Sequence, residues 1–344
     1  MTTMDRSHSS ASPTLDEVAR VAGVSRATAS RAVNGGSRVS ERSKQAVDDA
    51  VQALGYVPNR AARALVTRRT GSVAVVVPEP DERIFSDPFF AGTLRAVARV
   101  LGEREVQLVL LLAQPGAQEE RMLRYLSHGH VDGALVISHH RDDHLAELLP
   151  RLGLPVVFGG RPWSGSDQVP YVDVDNVAGG RLATEHLVAR GCNRIGTIAG
   201  PVDMTAATDR LSGWYQALST AGLACDAMVH GDFTEEGGRR AAADLLDRFP
   251  DLDGLVVASD LMARGALTVA AARGRRVPDD LAVVGYDDLG VAETTDPPLT
   301  TMRQPIGEMA ERATQLLLDR IDGRETGGPY RVIIPTMLVR RGSA

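Results

Sequence analysis

The 344-residue chain holds a single lysine, Lys44. A Walker A loop needs a lysine after its glycines to reach the β- and γ-phosphates, and nothing beyond Lys44 can supply one. No G-x-G-x-x-G follows a strand-like run, and there is no G-x-S-x-G nucleophile elbow. A kinase, dehydrogenase or hydrolase would each lack its key residues, so no enzymatic activity and no cofactor are expected. Cys192 and Cys225 are the only cysteines and form no CxxC pair, which argues against a disulfide framework or a zinc site. No run of about 18 apolar residues exists. The opening MTTMDRSHSSASP also lacks the apolar stretch of a signal peptide. The chain is therefore expected to work in the cytoplasm without a membrane partner.

What is present is 43% hydrophobic and 24% charged residues, the make-up of an ordinary globular protein. The length favours two domains or more. The net charge of -6 is unevenly spread. Residues 1 to 69 carry 11 Lys/Arg against 6 Asp/Glu (net +5), and the remaining 275 carry 27 against 38 (net -11). A basic head on an acidic body is the asymmetry expected when only the head meets phosphate.

That head contains TLDEVARVAGVSRATASRAVN, Thr14 to Asn34. Thr14 with Glu17 forms a capping box, so a helix should begin at Leu15, with Leu15, Val18 and Ala19 on one stripe. Gly23 supplies a turn. Ser25 then caps a second helix whose Ala29 and Val33 face inward, leaving Arg26, Ala27, Ser30, Arg31 and Asn34 on the outer and leading faces. This is the layout of a helix-turn-helix, whose second helix reads base edges in the major groove. Arg26 and Arg31 suit guanine, and Ala27 suits a thymine methyl. The plainer alternative is a helical hairpin with a solvated basic face. A third helix opens at Val39-Ser40, places Ala46, Val47, Ala50, Val51 and Leu54 on one stripe, and ends at Gly55.

With Tyr56-Val57-Pro58-Asn59-Arg60-Ala61-Ala62-Arg63-Ala64-Leu65 added, the chain strongly resembles the LacI family of bacterial transcriptional regulators. The linked blocks TLDEVARVAGVSRATASRAVNG and VSERSKQAVDDAVQALGYVPNRAARAL carry the resemblance, with later blocks running nearly to the C-terminus. It implies a repressor that binds a palindromic double-stranded operator as a homodimer and answers to a small molecule. The implied DNA-contacting residues are Thr14, Leu15, Ser25, Arg26, Ala27, Thr28, Ser30, Arg31, Asn34, Tyr56, Asn59, Ala62, Arg63 and Leu65. Pro58 suits a helix start, yet Asn59 to Leu65 is far shorter than the roughly 12 to 15 residues that are marginal alone in water. The resemblance favours hinge helices that fold in pairs on the operator, with Leu65 wedged between base pairs. On composition alone, a flexible linker with one stray leucine fits as well. The C-terminal RRGSA offers no leucine-repeat helix, so a dimer is expected.

From Gly71 onward, strand-like runs alternate with helical stretches. Ser72 to Val77, Val106 to Leu112, Gly133 to Ile137 and Val156 to Phe158 read as buried parallel strands, with helices near Phe90 to Gly102, Gln118 to Leu126 and Asp143 to Leu152. Arg194 to Ala199, Gly254 to Ala258 and Leu281 to Gly285 form a second set, among helices near Ala178 to Arg190, Ala207 to Ala221, Glu235 to Phe249 and Leu261 to Arg273. Ile306 to Ile321 reads as a helix and Tyr330 to Val339 as a strand. The expected fold is an all-α head plus an α/β body of two doubly wound parallel-sheet subdomains, which the resemblance makes of the periplasmic-binding-protein type. The expected divisions are a disordered 1–12, a helix-turn-helix 13–57, a hinge and linker 58–70, a first subdomain 71–173 plus 304–329, and a second subdomain 174–303 plus 330–340. The crossings implied by the family lie near Asp173 to Asp175, Met302 to Gln304 and Pro329 to Arg331.

Ligand belongs in the crevice at the strand ends. Asp287 follows AVVGY, Asp260 begins the helix after LVVAS, Arg161 follows VVFGG, and Arg210 lies in TDRLSGW; each alone is more often a surface charge. The family resemblance implies Arg210, Asp287 and Gln304 as polar ligands and Phe89, Phe90 and Phe233 as lining or stacking residues. It also matches Ser138 and Arg161 to cleft positions. Arg161, Asp260 and Asp287 suit neutral hydroxyls better than a strong anion, and Trp163 offers stacking for an extended saccharide. The stretches PEPDERIFSDPFFAG and ISHHRDD look like actinobacterial members that sense cellobiose or related oligosaccharides. A purine stays open, as does an intracellular sugar-binding protein or enzyme. A transport-type sugar-binding protein is disfavoured, since it would need a signal peptide and no helix-turn-helix. His139, His140 and His144 lack a further ligand at suggestive spacing, so solvated loop residues or a cleft wall are expected rather than a metal site.

Overall fold

The computed structural model describes residues 13–33, 39–57, 69–114, 116–324 and 330–344. The chain divides into two compact units at Thr70–Gly71. In the head, α1 (Leu15–Val21), α2 (Arg26–Val33) and α3 (Glu41–Leu54) start where the caps require. Glu17 N donates to Thr14 Oγ1 at 3.3 Å and Thr14 N donates to Glu17 Oε2 at 2.7 Å, closing the capping box. Thr28 N donates to Ser25 Oγ at 3.1 Å, and Ser43 N to Ser40 Oγ at 3.2 Å. Gly23 and Gly55 hold φ of 64° and 60°, the left-handed conformation that lets the chain turn after α1 and stop after α3.

The head's core is small: Val18, Ala29 and Val47 are fully buried, joined by Ala19, Ala32 and Ala50. Ala32 joins Ala29 on the inner face of α2, and Val33, half-buried, packs against the same core as expected; residues three and four beyond Ala29 straddle one stripe. Asn34 and the hinge residues Pro58 to Val66 lie outside the described residues.

The body holds two six-stranded sheets. The first combines β1 (Ser72–Val77), β2 (Gln107–Leu112), β3 (Gly133–Ile137), β4 (Val156–Gly159), β5 (Tyr171–Val174) and β11 (Arg331–Ile334) in the order β11-β5-β4-β3-β1-β2, all parallel. The second combines β6 (Ile195–Ala199), β7 (Met228–His230), β8 (Gly254–Val257), β9 (Ala282–Asp287), β10 (Thr300–Arg303) and β12 (Met337–Val339) in the order β12-β10-β9-β8-β6-β7, with β12 alone antiparallel. Both faces of each sheet are covered, which is why the strands read as unbroken apolar runs. In β1 the period of two sends Val73, Val75 and Val77 toward α5 (Pro88–Glu103) and α13 (Ile306–Ile321), and Ala74 and Val76 toward α6 (Ala117–Ser127). In the second sheet, α10 (Glu235–Arg248) and α11 (Asp260–Ala272) cover one face, and α8 (Asn176–Arg190) and α9 (Thr205–Ala221) the other.

Two expectations need correction. Tyr330 to Val339 is two strands in different sheets: Ile333 pairs with Asp173 in the first, and Leu338 with Met302 in the second. Pro335 separates them, because it has no N–H to give a ladder. The last crossing is therefore at Pro335–Thr336, and β11 lies with the first sheet. The stretch Asp143 to Leu152 is likewise broken, into one turn of 3-10 helix, the short α7 (Leu145–Leu148) and a second 3-10 turn. His144 at φ 50° and Pro150 prevent a continuous helix. The short strands β5, β7 and β10 had no long apolar run to announce them.

Candidate functional site

A cleft lies between the two halves of the body, at the carboxyl ends of the strands. The first half contributes Arg83, Asp87, Phe89, Ser138, His139, Gly160, Asp173 and Met309; the second contributes Asn176, Met204, Arg210, Phe233, Ser259, Asp287 and Gln304. Its centre is Arg210 on α9, 8% exposed. Two glycines place it there. A Cβ on Gly180 would come 2.1 Å from Arg210 O, and one on Gly213 would come 2.1 Å from Val177 O, so only glycine lets α8 and α9 approach this closely. Arg210 Nε donates to Asn176 Oδ1 at 2.9 Å and Nη1 donates to Ala258 O at 2.6 Å. Its guanidinium lies 3.8 Å from the Tyr286 ring centroid.

Opposite Arg210 stands Asp287, whose Oδ1 is 3.8 Å from Nη1 and accepts from Gln304 Nε2 at 2.5 Å. Asp287 has φ 125°, a conformation L-residues seldom adopt, and this aims its carboxylate into the cleft at the end of β9. Burial pushes its pKa well up; Asp260 and Asp87 add to the rise, while Arg210 and the Gln304 bond oppose it. A carboxyl and a guanidinium held near each other at this spacing can take vicinal hydroxyls between them. Phe233, at φ 63°, and Phe89 supply flat apolar walls beside them.

Other residues singled out from the sequence sit elsewhere. Phe90 is fully buried in the core beneath Phe89, edge-on to it at 5.2 Å, and does not line the cleft. Asp260 is behind the wall: its oxygens accept from Asp288 N at 2.7 Å and Thr301 Oγ1 at 2.6 Å, and burial pushes its pKa up to about 7. Starting α11, it braces the turn that carries Asp287. Arg161 is paired, with Nη2 2.7 Å from both oxygens of Asp209 on α9, so its charge joins the two halves instead of facing the cleft. Trp163 lies outside the lining, with the Arg141 guanidinium 5.5 Å from its ring. Ser138 does line the cleft and donates to Glu79 Oε1 at 2.6 Å.

Sequence reasoning missed Asp87, Asn176 and Arg83. The first had a signal: Asp87 before Pro88 is a helix start, and its carboxylate caps α5 by accepting from Phe89 N at 2.9 Å. Asn176 carried none, because its role depends on Arg210, 34 residues away. His139 is a buried cleft wall, its ring 5.4 Å from Phe158 and its Nε2 3.3 Å from Gly160 O. Burial drives its pKa down to about 4, so it stays neutral. His140 is half-buried between carboxylates, not solvated. Among the described residues no group of three His, Cys, Asp or Glu is arranged to hold a metal.

In the head, Arg26, Ala27 and Arg31 are exposed on α2, with Ser25 at its start. Arg31 Nε donates to its own helix at Ala27 O, 3.0 Å, and Arg26 lies 3.2 Å from Asp16 in an exposed pair. Exposed pairs of this kind contribute little, so both guanidiniums are available to exchange partners. Thr14 is exposed at the start of α1, and Thr28 and Ser30 are half-buried on α2. Leu15 and Tyr56 pack against the head's core. Asn59, Ala62, Arg63 and Leu65 lie outside the described residues. No helix of the described residues is long and apolar enough to cross a membrane.

Comparison with known proteins bears on both units. Residues 14–59 match the family described as bacterial regulatory proteins, lacI family, and residues 184–344 match a periplasmic binding protein-like domain. The HTH-type transcriptional regulator CelR of Thermobifida fusca is 50% identical over 96% of this chain and 98% of its own. The ribose operon repressor of Halalkalibacterium halodurans is 34% identical over 95% and 96%. Among solved structures, a complex of the transcriptional regulator CelR with cellobiose aligns with TM-score 0.78 and 47% identity, covering 96% of this chain and all of that one. The lac repressor dimer bound to operator aligns with TM-score 0.84 at 28% identity, over 96% and 98%.

Proposed function

The chain belongs to the lacI family of bacterial regulatory proteins, and on that footing we propose that it represses saccharide-utilisation genes in the cytoplasm. A dimer binds a palindromic operator through residues 13–57, with 58–70 as hinge, and is released by cellobiose or a related oligosaccharide in the cleft. The observation that carries the ligand class is the pairing of Arg210, Asp287, Asn176 and Gln304 with the walls Phe89 and Phe233. Paired polar groups match ring hydroxyls, and flat apolar faces match the C–H side of a pyranose. The likeness to CelR and to its cellobiose complex supports the same reading. No step of it calls for catalysis.

Calorimetry with cellobiose, cellotriose, maltose and adenine tests it. Cellobiose or cellotriose should bind, and Asp287→Ala should weaken that binding by ~1.5–3 kcal/mol, tenfold or more, while operator affinity stays at the wild-type level. Tight adenine binding with no saccharide binding would overturn the ligand class and leave the regulator assignment standing.

A further inference from the structure

Glu79 follows β1 and is 2% exposed. One of its oxygens, Oε1, gathers three groups: Arg83 Nη1 at 2.5 Å, Ser138 Oγ at 2.6 Å and His140 Nε2 at 3.1 Å. Arg83 and Ser138 line the cleft. His140 reaches the other way, its Nδ1 lying 2.8 Å from Asp203 Oδ2. Asp203 belongs to the second half, in the loop between β6 and α9, and its backbone O accepts from Arg141 N at 2.8 Å. One imidazole therefore stands between a buried carboxylate of one half and a carboxylate of the other. A neutral imidazole has one N–H and can donate to only one of them; the imidazolium donates to both.

We propose that Glu79, His140 and Asp203 form a proton-dependent tie across the cleft, through which the groups that Glu79 holds at the cleft wall govern the separation of the two halves. All three are positioning residues. Occupancy of the cleft at Arg83 or Ser138 changes what Glu79 accepts, and Glu79 anchors the ring that grips Asp203. The pair Arg161 to Asp209, 2.7 Å apart, also joins the two halves, with no imidazole in it.

The charged surroundings agree in sign. Burial lowers the pKa of His140, but the hydrogen bonds and charges of Glu79 and then Asp203 outweigh it and hold the pKa above its ordinary value. Burial raises Glu79, but the His140 bond, the Arg83 charge and the Ser138 bond together hold it below its ordinary value. Its own loop also carries His139, Arg141, Asp142, Asp143 and His144. Asp143 Oδ2 accepts from His140 N at 2.7 Å. Glu79, His140, Asp143 and Asp203 line a second cavity, outside the cleft, whose wall also includes Glu82 and Asp232, the latter paired with Arg240. The tie is fully formed below the pKa of a free histidine and is lost as pH rises through the elevated pKa of His140.

The test needs no ligand. Cys225 is exposed in the second half and takes a spin label, while Cys192 is buried with its thiol pushed up to about 11 and stays unlabelled. A second label at Gln118→Cys, on α6 of the first half, completes the pair. Full-length protein without DNA, diluted into unlabelled protein, is measured at about pH 5.5 and about pH 8.5, either side of an ordinary histidine. The ratio of short to long inter-half distances should fall as the pH rises from the first value to the second. His140→Gln should flatten the profile, and so should Asp203→Asn, at a partly exposed position where loss of fold is not at issue. An unchanged wild-type distribution across the range overturns the tie, as does a pH response that survives in either variant.

Discussion

The head and the cleft solve opposite problems with opposite means. The bonds that start and turn the head's first helices are local: Thr14 meets Glu17, Ser25 meets Thr28, and Gly23 turns the chain between two helices, all within 15 residues. The bonds that hold the cleft's central charges are not. Arg210 is held by Asn176 and Ala258, Asp287 by Gln304, and Asp260 by Thr301. A reading surface of exposed side chains needs only a rigid small scaffold, whereas a pocket that holds a neutral polyol needs buried charges, and buried charges need partners from all over the fold.

Arg210→Ala should draw this contrast most sharply. It removes the cation facing buried Asp287 and orphans the Asn176 oxygen and the Ala258 carbonyl, a loss of about 3–5 kcal/mol for a broken buried pair. Calorimetric melting should show the body's transition falling by several degrees with the head's unchanged. A shift of both transitions together would mean that the units do not unfold independently. Val47→Ala should do the converse with a smaller effect of ~2 kcal/mol, two methyl groups' worth of burial in a core with six buried members among the described residues. Operator binding should fall while cellobiose affinity of the DNA-free protein is preserved. If Val47→Ala also weakens cellobiose binding, the division of labour between head and body is wrong.

The same contrast explains what was legible in the sequence. The three head helices could be read nearly to the residue because caps and i, i+3, i+4 stripes are short-range signals; only the burial of Ala32 beside Ala29 and Val33 depended on packing. The buried strands β1, β3, β8 and β9 were visible as apolar runs. The strands β5, β7 and β10, whose residues include Asp173, His230, Thr300, Thr301 and Arg303, were not, since their order comes from neighbours already in the sheet. The C-terminal stretch read as one strand because periodicity does not reveal which sheet a residue joins; Pro335 was the clue that it changes sheet.

At the cleft, Arg210, Asp287, Gln304, Ser138, Phe89 and Phe233 were named from strand-end position and resemblance, and the structure brings them together. Phe90, Arg161 and Asp260 have the right residue types and the right neighbourhood, yet they face core, a cross-cleft partner and a supporting turn. Residue type and strand-end position fix neither the direction of a side chain nor the partner already waiting for it. Glu79 was invisible for the same reason: its three partners arrive from Arg83, Ser138 and His140, up to 61 residues away.

The most direct test of a head that reads DNA under the control of a cleft that binds saccharide is one titration of full-length protein with operator duplex, at fixed salt, with and without saturating cellobiose. Operator affinity should fall by about 1–3 kcal/mol, roughly five- to 150-fold, when cellobiose is present. Asp287→Ala should show no such reduction. Equal operator affinity with and without a sugar that demonstrably fills the cleft would contradict that control.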